Sequence, residues 1–221
     1  MPDLDWLKPV QLFTDASNIK MDALACELAR LQDRCNAYAA SNNPYLKALN
    51  MKAYFSDPVA GWEVIDATHD IYVPNQFRGK GNGKMKPCGG YKVGTFSSSE
   101  YGQAFNAKNK YGYFGVAFRR KKDGVVVIYS AGTDITNFDT LSAVANAKSE
   151  AGFSKLLRNY CQVGQSFYEH VKEQHLEGRE PNLFCAHSIG CVFNMWMNAV
   201  TKNEVLAVNF DGFGKGQQQL L

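Results

Sequence analysis

Ser188 lies at the centre of the segment whose residue types most clearly indicate chemistry. The segment Cys185–Cys191 reads CAHSIGC and separates a short apolar run from an apolar helical pattern. The positions two before and two after the serine, Ala186 and Gly190, are small, as a sharp strand-to-helix turn requires, because bulk there would clash with the neighbouring strand or helix. The pattern therefore predicts a nucleophile elbow that presents the Ser188 hydroxyl.

A serine nucleophile also needs a base, an acid that orients the base, and hydrogen-bond donors for the oxyanion. The backbone N–H of Ile189 is the predicted first donor, because this residue begins the helix after the nucleophile. The predicted second donor is Thr133, in a loop that follows an apolar β-branched run. Gly132 before it allows close approach of the backbone to a substrate.

The base and the acid are less obvious in the sequence. His187 directly precedes the serine, where the side chain is expected to point aside, and no His follows Ser188. His69 could act as base only if the N-terminal third of the chain folds over the sheet edge. Asp211 follows the next predicted strand and is either the orienting acid or a turn residue before glycine.

The two remaining histidines, His170 and His175, fall near the end of a predicted long helix. A cation near a helix C-terminus interacts favourably with the helix dipole, and we expect this role for them rather than that of the base. Cys pairs and His/Cys clusters with zinc-binding spacing are absent from the sequence, so neither a metal site nor a cofactor is expected.

Alternation of strands and helices from about residue 113 onward predicts a mostly parallel α/β sheet. Gly178 is expected to end the longest helix. The predicted elements are an irregular arm at 1–14, a helix at 15–40, a mixed region at 45–75, a strand at 113–118, a short helix within 135–148, a long helix at 151–177, and parallel strands at 125–129, 182–186 and 205–210. Asp123 and Gly124 form a hairpin signal. We expect one domain over 1–221, in which 1–110 packs on a core sheet formed by 111–221.

Residues 78–94 are rich in glycine and basic side chains. Their spacing differs from that of a phosphate-binding loop, because Met85 stands where Ser or Thr is required. The content of glycine and basic residues predicts a surface loop. The alternatives are a lid or a patch in which Arg78, Lys80 and Lys84 contact anionic head groups, and a phosphate cradle.

Composition limits the classes of partner. The chain has 221 residues, a net charge of +3 and 45% hydrophobic residues, which is ordinary for a globular domain and argues against a nucleic acid as partner. The N-terminus lacks the apolar region of a secretory signal, and no apolar run reaches membrane-spanning length. We expect a cytoplasmic protein with reduced cysteines, or an effector exported by a non-classical route.

Four segments together resemble class 3 lipases over residues 111–216. Ala131–Thr133 is similar to the R-G-T element that follows a buried strand in that family, and Phe138–Leu141 loosely to its D-W-L element. Ala186–Cys191 (AHSIGC) resembles G-H-S-L-G-G. Asn209–Gly214 is similar to F-D-G-P-G, with Phe in place of Pro.

The resemblance implies a three-layer α/β-hydrolase fold, here without its C-terminal strands, and hydrolysis of lipid or phospholipid esters. It assigns Ser188 as nucleophile and Thr133 with Ile189 as oxyanion donors. In this family the acid lies beyond the strand that follows the elbow, and the His lies later still. Because no His follows Ser188 in this sequence, three accounts remain. The chain is part of a larger enzyme whose His comes from a further segment or second chain; it is complete and uses His69 or another base; or it is an inactive binding or regulatory module.

Overall fold

The computed structural model describes residues 19–41, 61–79, 85–103, 112–132, 150–202 and 204–210. The elements whose bounds lie within these ranges are three α-helices, a short 3-10 helix and seven strands. In chain order these are α1 (Ile19–Ser41), β1 (Trp62–Ala67), β2 (Ile71–Gly79), β3 (Met85–Val93), the 3-10 helix (Thr95–Ser98), β4 (Gly115–Arg120), β5 (Val126–Ser130), α2 (Glu150–His175), β6 (Leu183–His187), α3 (Gly190–Val200) and β7 (Leu206–Phe210).

Five strands form one mixed sheet in the order β1-β4-β5-β6-β7. β5, β6 and β7 are parallel, which confirms the three predicted parallel strands. β1 and β4 are antiparallel to their neighbours, so the expectation of a mostly parallel sheet holds only for the C-terminal half. The reason is the short turn at Asp123 and Gly124, where Gly124 has φ +74° and the chain reverses too tightly for a parallel crossover.

Most of the predicted basic loop at 78–94 is instead a hairpin. β2 and β3 pair antiparallel in a separate two-stranded sheet, from Ile71 opposite Val93 to Gly79 opposite Met85. Residues 80–84 at its tip lie outside the described residues. Prediction of a loop from glycine content was wrong here because backbone pairing along nine-residue strands is compatible with interspersed glycines.

Helix α1 covers one face of the five-stranded sheet. Its buried side chains recur at intervals of three and four residues, which explains why this stretch forms an amphipathic helix, as predicted. They are Leu28, Leu31, Cys35 and Tyr38, and they pack with Trp62, Val64, Val116, Phe118, Val127, Tyr129, Leu183 and Cys185.

Helices α2 and α3 cover the opposite face. The long helix α2 follows the predicted span closely and ends before Gly178, which has φ +80° and donates its N–H to the Lys172 carbonyl. The cluster on this face includes Leu156, Tyr160, Val163, Phe167, Phe193 and Met197 from the helices and Ala117, Val126, Ile128 and Phe184 from the strands. The described chain is therefore an α/β structure with helices on both faces of a mixed sheet.

Several buried hydrogen bonds fix the carboxyl end of β5. The Gln32 amide donates to the Ser130 carbonyl at 3.2 Å, and the Tyr160 hydroxyl donates to the Ala131 carbonyl at 3.3 Å. The hydroxyls of Tyr113 and Ser130 bond at 2.9 Å. These bonds come from both helical layers, so the loop that leaves β5 is held from both sides.

Among the described helices, none is long and apolar enough to cross a bilayer. The predicted arm at 1–14 and the predicted short helix within 135–148 lie outside the described residues. The organisation of 1–221 as a single domain stays a prediction.

The close contact between α2 and α3 gives a first test. A Cβ on Gly164 would lie 2.6 Å from ring atoms of both Tyr113 and Phe193, which are fully buried. We expect Gly164→Ala to lower the free energy of unfolding by about 1–2 kcal/mol, because overpacking outweighs the helix-propensity gain. Ser166→Ala, at a partly exposed position of the same helix, is the control for denaturant titration. Equal or higher stability of the Gly164 variant would contradict the packing.

Candidate functional site

Ser188 occupies the turn between β6 and α3, as the elbow prediction requires. Its φ is +53°, in the left-handed region that non-glycine residues rarely adopt and that costs roughly 1–2 kcal/mol. β6 ends at His187 and α3 begins at Gly190, so the chain turns from strand to helix within two residues. The serine lies at the carboxyl end of a central parallel strand, where α/β proteins place their ligands.

Hydrogen bonds on both sides stabilise this turn. The Ser188 N–H donates to the Phe210 carbonyl of β7 at 3.2 Å, and the Ser188 carbonyl accepts from the Cys191 N–H at 3.0 Å. These contacts compensate for the unfavourable backbone conformation, since strained residues persist only where surrounding structure determines them.

Two glycines allow the loop after β5 to contact the elbow. A Cβ on Gly132 would lie 2.5 Å from the His187 Nδ1 atom and 3.3 Å from the Ser188 Cβ, and a Cβ on Gly190 would lie 2.9 Å from the Ser130 carbonyl oxygen. The predicted oxyanion loop therefore starts against the serine. The Gly132 N–H is already bonded to the Asn36 side chain at 3.3 Å, so Gly132 positions the loop and does not donate to an oxyanion.

Ile189 is placed where the first predicted oxyanion donor should be. It is the residue before α3, and the N–H groups at a helix start have no partner within the helix. The N–H of Ser188 is already bonded to the neighbouring strand, and the role of the Ile189 N–H as an oxyanion donor stays a prediction. The second predicted donor, Thr133, lies outside the described residues.

All four histidines of the sequence are among the described residues. Within the described ranges none of them is hydrogen-bonded to the Ser188 hydroxyl. The ring of His187 packs against Gly132, in agreement with the expectation that it points aside. A base for Ser188 is therefore not assembled by the part of the chain that the structure describes.

His69 lies at the same end of the sheet strands as Ser188, but far from it. It follows β1, and β4 and β5 separate that strand from β6, so three strand spacings amount to about 14 Å. The ring stacks on Phe114 at 5.5 Å and its Nδ1 bonds to the Thr68 hydroxyl at 3.1 Å. Burial lowers the pKa of His69, which Asp70 offsets in part. These contacts make His69 a packed residue and give no geometric support to its role as base.

Other predicted site residues cannot be placed. Asp211 follows the last described residue of β7, and Lys80 and Lys84 lie at the hairpin tip. All three are outside the described residues, as is the side chain of Arg78. Their roles as acid and as head-group contacts stay predictions.

The buried cysteines take no part in the elbow chemistry. Cys35, Cys161 and Cys185 are free thiols in the core, and the buried Cys191 thiol donates to the Ala186 carbonyl. Burial raises the pKa of Cys161 to about 12 and raises that of Cys185 as well. A thiol whose pKa is raised by burial is protonated and unreactive at neutral pH, so these residues serve as small apolar packing groups.

A second polar cluster, which sequence reasoning missed, joins the edge strand to α2. The Asp66 Oδ2 atom accepts hydrogen bonds from the Nε2 atoms of His170 at 3.0 Å and His175 at 2.8 Å, and from the Thr95 hydroxyl at 2.7 Å. Asp66 is fully buried and His170 nearly so. The predicted position of both histidines near the end of the long helix is confirmed, but their shared contact with a buried carboxylate was not predicted.

A β-bulge explains why Asp66 faces α2. Trp62 and Val64 point toward α1, and strict alternation would send the side chain at position 66 to that same apolar face. The register shifts between Val64 and Asp66, so one extra residue, Ile65, turns Asp66 to the other side of the sheet. The only sequence signal was an acidic residue within an apolar strand pattern.

The environment of Asp66 keeps it ionised. Burial alone would raise its pKa, but the hydrogen bonds from His170, His175 and Thr95 outweigh this and hold the pKa well below its usual range. The Ala67 N–H donates to the second carboxylate oxygen at 2.8 Å. The cluster is therefore built around a buried anion with a fixed orientation.

No family model, curated protein or solved structure matches this chain. The predicted resemblance to class 3 lipases consequently depends on the sequence motifs alone.

The Asp66 cluster predicts a stability effect. We expect Asp66→Ala to lower the free energy of unfolding by about 3 kcal/mol, because it leaves the buried Nε2 donor of His170 without an acceptor. Chemical denaturation measures this, and Glu177→Ala, at an exposed carboxylate beyond the same helix, should leave stability unchanged. Equal denaturation midpoints for the two variants would contradict the role of Asp66 as a stabilising hydrogen-bond acceptor.

Proposed function

We propose that the protein is a serine esterase of the α/β-hydrolase type, similar to class 3 lipases, with Ser188 as its nucleophile. The observation that carries the proposal is the left-handed conformation of Ser188 at a strand-to-helix turn. Ser188 is only partly exposed, and strained residues of this kind at the carboxyl end of a parallel strand often lie at functional sites. Contact of the Gly132 backbone with the same residue supports an oxyanion loop at the correct position.

The reaction follows from these groups. The Ser188 hydroxyl adds to the carbonyl carbon of a carboxylic ester while its proton passes to a base, and the N–H groups of Ile189 and Thr133 stabilise the oxyanion. The intermediate expels the alcohol, which takes up the proton and leaves an acyl group on Ser188. Water then attacks the acyl group and releases the carboxylic acid.

The base comes from outside the described contacts of Ser188. None of the four histidines is bonded to this hydroxyl in the described ranges, so we propose that a further segment or second chain supplies the imidazole. The acid is Asp211 in this proposal. It directly follows β7, the strand that pairs with β6.

The proposed substrate class is a lipid or phospholipid ester. This choice depends on the motif resemblance and on the basic residues Arg78, Lys80 and Lys84, which would contact anionic head groups from the β2–β3 hairpin. Of these residues, Arg78 lies in β2, opposite Lys86 of β3.

The second candidate function is an inactive lipase-fold module that binds or regulates a partner. The observation that favours it is the lack of a histidine bonded to Ser188 among the described residues. Removal of the base from such a catalytic unit costs on the order of 10⁶ in turnover, so the two candidates differ sharply in reactivity.

Labelling with a fluorophosphonate distinguishes them. We expect one covalent adduct on Ser188 in the natural full-length protein, located by mass spectrometry of its peptides, and no adduct in Ser188→Ala. Ser166→Ala, a serine on the surface of α2, should be labelled like the unmodified protein. Absence of an adduct on Ser188 contradicts the esterase and favours the binding module.

The contact between Gly132 and the elbow gives a graded version of the same test. A methyl group on Gly132 would overlap the His187 ring and displace the oxyanion loop. We expect Gly132→Ala to label about 100-fold more slowly, since displacements of about 1 Å have effects of that size. Labelling at the unmodified rate would show that this loop does not serve the nucleophile.

A further inference from the structure

Asp66, His170 and His175 bring three atoms of metal-binding character to one point. The Asp66 carboxylate oxygen and the two Nε2 atoms all lie within 4.8 Å of one another. Both imidazole nitrogens point at the same oxygen, at 3.0 and 2.8 Å. Two imidazoles and a carboxylate form a ligand set that zinc commonly uses in proteins.

The distances suit an ion in the middle of the three atoms. Zinc binds nitrogen and carboxylate oxygen at about 2.0–2.2 Å, so tetrahedral ligands lie roughly 3.3 Å apart. The two Asp66–histidine distances are shorter by only a few tenths of an ångström. Small outward shifts of the histidine side chains would therefore convert the hydrogen-bonded cluster into a coordination site.

The ligands are well anchored and remain accessible. Asp66 is held by the Ala67 N–H, and the two histidines project from one helix, whose end is fixed by a hydrogen bond from Arg119 to the His175 carbonyl at 3.0 Å. The His175 side chain is 20% exposed, and Thr95 beside it is exposed. An ion can reach the cluster from this side without unfolding of the core.

We propose that Asp66, His170 and His175 bind a divalent transition-metal ion of the zinc type, with the remaining position open to water on the side of Thr95. Two nitrogen ligands of three favour zinc, cobalt or nickel over magnesium and calcium, which prefer oxygen. The ion would join the edge strand β1 to the C-terminal end of α2.

One feature limits the affinity of the proposed site for a metal ion. The second ring nitrogen of His170, Nδ1, is buried and has no hydrogen-bond partner among the described residues. Histidine ligands usually donate this N–H to a carbonyl or carboxylate, and loss of such support weakens metal binding about 10–100-fold. The site is therefore expected to bind less tightly than a fully supported zinc site.

The site is separate from the elbow. Tyr160, whose hydroxyl bonds the Ala131 carbonyl beside the elbow, lies ten helical residues, or about 15 Å, from His170. The metal proposal is thus independent of any chemistry at Ser188, and failure of one leaves the other intact.

Calorimetric titration of the full chain with Zn²⁺, after treatment with a chelator and its removal, tests the proposal. We expect one Zn²⁺ per chain, binding at least tenfold weaker in His175→Gln, and binding unchanged in Glu177→Gln, which alters an exposed carboxylate near the same helix end. Mg²⁺ should give no binding. His175 is partly exposed, so its substitution is compatible with folding, and a cooperative thermal transition of the metal-free variant verifies this.

Thermal denaturation gives the second measurement. Zn²⁺ that binds the folded state raises the unfolding midpoint, so the midpoint should rise for the unmodified chain and for Glu177→Gln, and much less for Asp66→Asn and His175→Gln. Absence of Zn²⁺ binding by the unmodified chain overturns the proposal and leaves a hydrogen-bonded cluster only. Binding to His175→Gln with unchanged affinity also overturns it, because the ion would then lie elsewhere.

Discussion

The chain must turn from β6 into α3 within two residues, and this constraint determines much of the surrounding structure. The helix has to pack back on the sheet that the strand belongs to, so one residue adopts a left-handed conformation, and that residue is Ser188. The neighbouring backbone approaches so closely that Gly190 has no room for a side chain. The Ser188 hydroxyl is thereby held at the carboxyl end of β6, away from the core.

Helix α2 connects this turn to the far edge of the sheet. Near its start Tyr160 bonds the Ala131 carbonyl, and at its end His170 and His175 bond Asp66 on the edge strand. Between these points, fully buried aromatic residues such as Phe167 fill the space against the sheet. The loop after β5 and the Asp66 cluster are thus two points at which α2 is attached to the sheet.

Local patterns predicted the parts of the fold that depend on local sequence. The β-branched run of β5, the periodicity of α1 and α2, and the small residues around Ser188 each identified their elements. The Asp66 cluster was missed because its partners are separated by 104 and 109 residues and because a bulge reverses the face of Asp66. The β2–β3 hairpin was missed because strand pairing, which its glycines permit, leaves little local signal.

The left-handed conformation of Ser188 is the central claim, and the stabilities of Ser188→Gly and Ser188→Ala test it most directly. Glycine adopts this conformation without cost, whereas alanine carries a penalty of roughly 1–2 kcal/mol. At an ordinary helical or extended position the order is reversed, and glycine is less stable by about 0.5–1 kcal/mol. Denaturant titration should therefore find the glycine variant more stable than the alanine variant. A more stable alanine variant would contradict the elbow.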